Sequence, residues 1–368
     1  QLRFDEKRKA WLHWKTHWWQ VDDTAAVHLA KLAALTRLNN APLLAVKAEQ
    51  YKEAKYALRS LDQHKLKAAL ESAQSEEPFR DTHEPWDANP WLLGVANGVI
   101  DLKSGALLPG EPSQRVSQHS EIAYDPAAKC PRWLRFLDEV FEGNTEVITF
   151  MQRAFGYSLS GSVEEQCLFF LYGPGLNGKG RIILILKHLL GSYYHDVGFD
   201  FFTLSRGYTP HPEQMAACAG RRVITASETG EQGRFNEARL KAMAHGDPLS
   251  TRAMYDARFD TLPTAKIWLN ANHLPEVRDD SLGMWRTFRI IEMLRKFEGA
   301  ADDKRLIDKL YAEGPGILNW AVRGCLAWQQ DGLGRPRAIE VATKTYEEES
   351  DPLREFIEAC CVITPESR

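Results

Sequence analysis

Hydrophobic residues recur with different spacings along the chain, and these spacings predict where helices and strands lie. Residues 1–20 hold four tryptophans around a short polar step, which fits a two-stranded hairpin or an amphipathic helix, with the aromatic content favouring the hairpin. Over residues 22–73 apolar side chains recur at helical spacing, and Asp23 or Thr24 is placed to cap the first helix. Residues 75–90 are acidic and hold three prolines, which predicts a loop.

The second half of the chain changes from small strands to helices and then to continuous apolar runs. Short apolar pieces around Asn97-Gly98 predict small strands joined by a tight turn, and Pro131 is placed to open a helix in 126–160. Beyond Gln166, apolar runs alternate with helices or loops, as expected for a mostly parallel sheet that is buried on both faces. These runs are 167–172, 222–226, 266–271 and 288–291. After Asp302 the spacing is helical again.

The predicted fold class is therefore α/β, built on a mostly parallel sheet. We expect four regions. A mainly helical N-terminal domain with small β elements would span 1–125, and a helical linker or collar would span 126–165. The sheet would occupy 166–300, and a helical C-terminal region would span 301–368.

Composition excludes few functions. The chain has 368 residues, of which 44% are hydrophobic and 26% charged, so it can bury a substantial core. Its net charge of -4 means that any nucleic-acid contact must come from a local basic lining. Composition therefore neither supports nor excludes DNA as a partner.

Cysteine spacing and hydropathy suggest a cytoplasmic protein. The six cysteines show no CxxC spacing, which predicts reduced thiols without a zinc site or disulfide framework. No apolar run approaches the roughly 20 residues that a membrane span requires, and no signal peptide is visible, so we expect no membrane partner. The chain begins at Gln1 and not at Met, and we expect it to be a piece of something longer.

The strongest local signal is a glycine-rich segment between an apolar strand and a helix predicted at 182–190. Residues 173–179 match GxxxxGK in the strand-loop-helix context that this motif requires. Glycines let backbone N–H groups turn towards phosphates, the helix N-terminus adds positive potential, and Lys179 can reach the β and γ oxygens. The predicted nucleotide-binding residues are Gly173, Pro174, Gly175, Leu176, Asn177, Gly178, Lys179, Gly180 and Arg181.

One position departs from the motif. The Ser or Thr hydroxyl that ordinarily follows the lysine and ligates Mg²⁺ is replaced by Gly180. Nucleotide binding is compatible with this change. Hydrolysis is less secure, because water or another side chain would have to replace the lost oxygen ligand.

Three later segments offer the partners that a hydrolysing P-loop enzyme needs. The run at 222–226 delivers Glu228 to the carboxyl end of a strand, where it can hold Mg²⁺ and polarise water. The run at 266–271 brings two candidate γ-phosphate sensors, Asn270 and Asn272, which the residues alone leave open. Arg286 lies about a hundred residues after the loop and could serve a neighbouring subunit's γ-phosphate.

In this order, these residues resemble the superfamily 3 helicases, specifically the helicase portion of phage and plasmid primase-helicases with a poxvirus-type N-terminal domain. The similarity runs over nearly the whole chain. It is carried by segments at 86–107, 124–144, 171–180, 223–229, 240–255, 268–275 and 315–334. The resemblance implies an AAA+-like P-loop core, a hexameric ring, ATP and Mg²⁺, and 3′ to 5′ movement along single-stranded DNA.

The resemblance also implies roles for individual residues. Lys179 would be the phosphate lysine, Glu228 the second-motif carboxylate that meets Mg²⁺ through the nucleotide, Asn272 the sensor and Arg286 the arginine finger. The family projects a β-hairpin into the ring's channel, which would be residues 249–263 here. Its DNA-binding residues would be Tyr255, Arg258 and Arg252, an aromatic for stacking and cations for phosphate.

The expected function is thus the ATP-dependent helicase motor of a phage, plasmid or prophage replication protein in a bacterial cytoplasm. Its expected partners are single-stranded DNA, further copies of the chain, and a primase domain or other replication proteins. An alternative is an ATP-binding ring or scaffold that has lost efficient turnover through Gly180. A P-loop kinase or packaging motor is a third hypothesis.

Two further positions depart from the family pattern. Thr287 stands where the family often has a second arginine, and Asp256 where it often has Gly or Lys.

Overall fold

The structure is a computed structural model of the chain. It describes residues 1–81, 84–204, 212–228, 233–252, 258–277, 282–299 and 303–350. For residues 212, 249–252, 258–261 and 282 it describes the backbone only. The contacts divide the chain into two units. Unit 1 comprises Gln1–Ala88 and Pro109–Gln118, and unit 2 comprises Asn89–Leu108 and His119–Arg368. This division differs from the four expected regions, whose bounds stay predictions.

Unit 1 combines a small antiparallel sheet with three helices. The strands are β1 (Leu2–Asp5), β2 (Ala10–Lys15) and β3 (Trp18–Val21), and the helices are α1 (Asp23–Asn40), α2 (Lys47–Ser60) and α3 (Gln63–Ala73). The tryptophan-rich segment is therefore a hairpin, in which Trp14 pairs with Trp19. The expected N-cap was wrong: Asp22 caps α1, because its side chain accepts a hydrogen bond from the Ala25 amide.

Unit 2 begins with the predicted small strands and helices. The antiparallel strands are β4 (Leu92–Val95), β5 (Gly98–Asp101) and β6 (Ala106–Leu108), followed by α4 (Pro131–Val140) and α5 (Thr145–Leu159). Pro131 stands in the first turn of α4, as predicted. There its missing N–H leaves no intrahelical bond unmade.

The central sheet has five parallel strands in the order β15-β7-β14-β10-β8. These strands are β7 (Leu168–Tyr172), β8 (Tyr194–Gly198), β10 (Val223–Ser227), β14 (Lys266–Ala271) and β15 (Phe288–Glu292). The expected α/β fold with a parallel sheet is confirmed. Sequence reasoning found four of these strands and missed β8, because an edge strand with exposed Asp196 and Gly198 shows no continuous apolar run.

The remaining elements surround this sheet. The helices are α6 (Lys179–Leu190), α7 (Pro212–Ala217), α8 (Glu237–His245), α9 (Leu282–Trp285), α10 (Leu306–Ala312), α11 (Gly314–Asp331) and α12 (Arg337–Glu349). The short strands are β9 (Thr203–Leu204), β11 (Arg234–Phe235), β12 (Leu249–Arg252) and β13 (Arg258–Thr261). The helical C-terminal stretch predicted after residue 302 corresponds to α10–α12 within the described residues.

Both faces of the sheet are buried, which is why its central strands are almost wholly apolar. On one face Phe169 and Trp268 belong to a core cluster shared with α5, α6 and α11. On the other face Phe170 and Leu269 belong to a second cluster shared with α8 and α12. Helices α5 and α11 approach closely, because a Cβ on Gly156 would lie 2.0 Å from the Cys325 nitrogen.

Two buried cations attach α5 to the amino ends of the strands. The side chain of Arg222 donates to the carbonyl of Leu159, and Lys266 Nζ donates to the carbonyls of Ser160 and Ser162. The last carbonyls of a helix lack intrahelical partners and carry partial negative charge. These cations therefore satisfy the end of the helix that leads into β7, although burial lowers the pKa of Lys266.

The described cysteines are buried thiols. Burial raises the pKa of each to about 12, which makes the reactive thiolate scarce. They are Cys130, Cys167, Cys218 and Cys325. Cys360 and Cys361 lie outside the described residues. Among the described helices, none has the length and apolar content needed to cross a membrane.

Candidate functional site

The glycine-rich loop lies between β7 and the start of α6, at the carboxyl edge of the parallel sheet. Its backbone requires glycine at two points. Gly178 has φ 89°, a conformation that residues with a Cβ seldom adopt. At Gly173, with φ 145°, a Cβ would also lie 2.3 Å from the carbonyl oxygen of Met293. These two glycines therefore hold the turn that aims the loop towards the sheet edge.

The segment after β15 braces the loop from outside. Asn177 Nδ2 donates to the Met293 carbonyl at 2.6 Å, and the Phe297 amide donates to the Leu176 carbonyl at 2.7 Å. Asn177 is 2% exposed, so its side chain forms a buried link between the loop and the segment after β15. This pre-organises a loop whose own backbone makes few regular hydrogen bonds.

Lys179 is folded back into the loop. Its Nζ donates to the carbonyls of Gly173 and Pro174, to Asn177 Oδ1 at 3.1 Å and to Asn272 Oδ1 at 3.0 Å. The side chain is nearly buried, and this burial lowers the pKa of Lys179 to about 8, while the nearby Glu228 carboxylate opposes that shift. The ammonium thus lies inside the loop with acceptors that phosphate oxygens could replace.

Glu228 follows β10 at the same sheet edge. Its Oε2 accepts hydrogen bonds from the backbone amides of Asn272 and His273, at 3.0 and 3.2 Å. Its own amide donates to the carbonyl of Asn270 at 2.8 Å. These bonds fix one carboxylate oxygen and leave Oε1 available for water or a cation.

Asn272 is the residue that joins the loop to Glu228. Strand β14 is inserted between β7 and β10, so its carboxyl end lies between Lys179 and Glu228. Asn272 contacts Lys179 through its side chain and Glu228 through its amide. Asn270 instead donates to Ser227 Oγ at 3.3 Å. Of the two candidates that the residues left open, the geometry favours Asn272.

These groups line a cleft of 550 Å³. It extends from Leu176 and Gly180 past Glu228 to Asp196 on the edge strand β8. Asp196 and Tyr194 also line the cleft, and sequence reasoning missed both. Asp196 Oδ1 accepts a hydrogen bond from Thr225 Oγ1 at 2.5 Å. The only available signal was the polar pattern of a strand that was not recognised.

Gly180 opens into solvent. No described atom lies within 4 Å of a Cβ built at this position, and the residue is exposed in the first turn of α6. A side chain could therefore be accommodated here. The described residues include no group of three or more His, Cys, Asp or Glu that could hold a metal ion.

Arg286 lies at the amino ends of the strands, whereas the glycine-rich loop lies at their carboxyl ends. It is exposed just before β15, whose register sets Phe288 beside Leu168 and Glu292 beside Tyr172. The glycine-rich loop follows Tyr172. The end of β15 near Arg286 and the end of the sheet that carries the loop are therefore about 13 Å apart. Thr287 is buried and its Oγ1 donates to the Gly283 carbonyl at 3.0 Å.

The predicted hairpin is present as backbone. Strands β12 and β13 pair antiparallel, with Leu249 opposite Thr261 and Arg252 opposite Arg258. Residues 255–258 were expected to form the tip, but Arg258 belongs to the last described pair. Tyr255, with the rest of 253–257, lies outside the described residues, as do the side chains of both arginines. Their contact with DNA stays a prediction.

The N-terminal part of the chain matches a known family. The family model described as D5 N terminal like matches residues 1–142. A candidate helicase of Acanthamoeba polyphaga mimivirus, L207/L206, is 25% identical over 293 residues, covering 74% of this chain and 30% of that protein. A candidate primase of African swine fever virus, C962R, is 23% identical over 320 residues, covering 79% of this chain and 33% of that protein. The chain thus spans about a third of the length of these relatives.

Solved structures are similar in fold. The A form apo structure of the NrS-1 C terminal region matches with a TM-score of 0.54 at 11% identity, covering 81% of this chain and 68% of that chain. The apo structure of NrS-1 C terminal region (305-718) matches with a TM-score of 0.50 at 13% identity, covering 68% and 62%. At such identities the likeness concerns the fold alone.

Proposed function

Because this chain belongs to the D5-like primase-helicase family, we propose that it is the ATP-dependent DNA helicase motor of a phage, plasmid or other mobile-element replication protein. We assign it to superfamily 3. One observation carries the proposal: Lys179, Asn272 and Glu228 are joined at the loop edge of the sheet. Such a convergence of cation, amide and carboxylate is what triphosphate hydrolysis needs.

The loop fits a triphosphate. Its backbone amides stand at the start of α6, where the helix dipole favours anions. On binding ATP, Lys179 would exchange its contacts with Gly173, Pro174 and Asn272 for the β and γ oxygens. Its present partners are neutral oxygens, whereas phosphate oxygens are charged and form stronger hydrogen bonds. The exchange is therefore favourable.

Hydrolysis would be directed by Glu228 and Asn272. Oε1 of Glu228 can accept a proton of the attacking water while Oε2 stays fixed by two amides. Asn272 can report the γ-phosphate, since its Oδ1 is the acceptor that Lys179 gives up. Mg²⁺ would be held by the phosphates and by water in the open space at Gly180, so that Glu228 meets it through the nucleotide, and when bound it neutralises charge on the phosphates.

Arg286 supports a ring. It lies at the amino-end side of the sheet, away from its own loop and too far to serve that site, and its side chain is exposed at the surface. An arginine supplied in trans would make hydrolysis depend on assembly. We propose a homo-oligomer, hexameric as in the superfamily, in which β12 and β13 line the channel and Arg252, Tyr255 and Arg258 contact single-stranded DNA. A primase domain or other replication proteins would act with it.

Steady-state ATPase measured with and without single-stranded DNA tests the proposal. We expect DNA to stimulate the wild-type activity, and Lys179→Ala or Glu228→Gln to reduce it by about a hundredfold or more. Lys344→Ala, on the exposed surface of α12, is the matched control and should keep full activity. If both site variants hydrolyse ATP as fast as wild type, the assignment fails.

A second candidate rests on Gly180. Without the hydroxyl ligand the chain could bind ATP and form a ring or scaffold with weak turnover. Because no described atom is within 4 Å of a Cβ there, Gly180→Ser should fold normally. ATP binding without turnover in wild type, followed by hydrolysis in Gly180→Ser, would select the scaffold. Turnover in wild type comparable with that of Gly180→Ser would exclude it.

A further inference from the structure

A second, smaller cavity of 140 Å³ lies on the outer side of the loop. Leu176, Gly178 and Arg181 line both this cavity and the larger cleft. A ligand whose phosphates lie in the cleft therefore has the cavity within reach of its other end. The triphosphate chemistry described above leaves this cavity unused.

The cavity has aromatic walls. Phe136 and Phe297 line it, and the Phe136 ring packs so closely that a Cβ on Gly178 would lie 3.1 Å from it. Phe297 is fixed by the hydrogen bond from its amide to the Leu176 carbonyl, at 2.7 Å. A cavity of about 150 Å³ admits a benzene ring, so this one can take the six-membered ring of a heterocycle, with the remainder at its mouth.

The polar side chains of Arg132 and Glu139 also line the cavity. Glu139 Oε2 accepts a hydrogen bond from the Arg132 guanidinium at 3.4 Å. Within the described part of the chain, Glu139 Oε1 accepts none. Arg132 Nη2 lies 4.0 Å from Asp303 Oδ2, which is beyond hydrogen-bond distance, and Arg132 lines the cavity. The lining thus sets the Oε1 acceptor of Glu139 beside the N–H donors of Arg132, while the Asp303 carboxylate, which also lines the cavity, accepts a hydrogen bond from Lys309 Nζ at 2.7 Å.

We propose that this cavity is the base subsite of the nucleotide and that Glu139 and Arg132 select adenine. This rests on the proposed function. On the edge that carries N7, adenine presents a ring acceptor beside an exocyclic amino donor, while guanine presents two acceptors. Arg132 matches the acceptor and Glu139 Oε1 the amino group. Guanine would set O6 against the Glu139 carboxylate, and uracil would set O4 there.

Competition against labelled ATP tests the proposal, using unlabelled ATP, GTP, UTP and inorganic tripolyphosphate as competitors. We expect wild type to bind ATP about tenfold to a hundredfold more tightly than GTP or UTP, the range for a hydrogen bond to a charged group. In Glu139→Gln the preference should fall towards equality, because an amide can turn either its oxygen or its NH₂ to the base. Glu146→Gln, an exposed glutamate of α5 away from the cavity, should keep the preference.

Tripolyphosphate separates this proposal from the function on which it rests. Its affinity should be the same in wild type and Glu139→Gln, which also shows that the variant is folded, and should fall in Lys179→Ala. Equal affinities for ATP, GTP and UTP, a preference for GTP, or an unchanged preference in Glu139→Gln would overturn the base subsite alone. If neither ATP nor tripolyphosphate binds in a Lys179-dependent way, the proposed function falls as well.

Discussion

Lys179 Nζ lies 3.0 Å from Oδ1 of Asn272, so the glycine-rich loop and the neighbouring strand end are joined by one hydrogen bond. The same asparagine donates its amide to Glu228. A change at the γ-phosphate that moves Lys179 would therefore shift Asn272, and with it the Glu228 carboxylate. If Glu228 is the general base that we propose, this is a physical route by which bound nucleotide would set its position.

Substitution at position 272 should separate this role from general support of the strand. Asn272→Ala removes the contact with Lys179 but keeps the amide that binds Glu228, so ATP hydrolysis should fall about tenfold or more while the fold is kept. Asn270 also lines the cleft, but among the described residues its side chain bonds to Ser227 Oγ at 3.3 Å and not to Lys179, so Asn270→Ala should retain most activity. A larger loss in Asn270→Ala than in Asn272→Ala, measured as steady-state kcat, would reverse the assignment.

ATP affinity should depend on pH through Lys179. Burial lowers the pKa of this lysine to about 8, and the charged ammonium binds phosphate oxygens much more strongly than the neutral amine does. Affinity should thus be constant well below pH 8 and fall as pH rises above it, by at most about tenfold per pH unit. Calorimetry near pH 8 in buffers of different ionisation enthalpy should detect proton uptake on binding.

Lys179→Arg provides the control for this titration. A guanidinium stays protonated over the whole range, so its affinity, even if weaker, should lose the pH dependence above 8. An unchanged pH profile in Lys179→Arg would show that another group titrates.

Much of the site could be predicted from the sequence because it lies in one continuous motif. Residues 173–179 carry their own turn and helix start. Glu228 could be placed, and Asn272 as one of two candidates, since each follows a buried apolar strand whose end must meet the same sheet edge. Asp196 could not, because β8 is an edge strand with a polar pattern. The hydrogen bonds that Met293 and Phe297 make to the loop join residues far apart in sequence, so no local pattern predicts them.

The arginine finger is testable by mixing variants. Arg286→Ala and Lys179→Ala should each be inactive alone, but a mixed ring contains interfaces in which an intact Lys179 faces an intact Arg286. We therefore expect part of the ATPase activity to return when the two variants are mixed. When either variant is added to wild-type protein instead, the activity should fall by more than the variant's share of the subunits. Arg335→Ala, another exposed arginine, should do neither. Activity that follows the simple average of the two preparations would argue against a shared site.

Stability of unit 2 should depend on the close approach of α5 and α11. A Cβ at Gly156 would lie 2.0 Å from the Cys325 nitrogen, and one at Gly324 would lie 2.0 Å from the Gln152 oxygen. Gly156→Ala or Gly324→Ala should lower the free energy of unfolding by about 1–3 kcal/mol, because the backbones must move apart.

Gly180→Ala is the matched change in open space. It should leave stability unchanged or raise it by about 0.5–1 kcal/mol, because alanine is the better helix former. Urea denaturation compares the three variants. Equal midpoints for Gly156→Ala and Gly180→Ala would contradict the packing described here.

The central claim is that the loop at 173–179 grips a nucleoside triphosphate through Lys179. Isothermal titration of ATP with Mg²⁺ into wild type and Lys179→Ala, with Lys344→Ala as control, tests it most directly. We predict saturable binding in wild type and control, and a loss of about tenfold to a hundredfold in affinity in Lys179→Ala. Absence of binding in wild type, or equal affinity in all three proteins, would contradict the account.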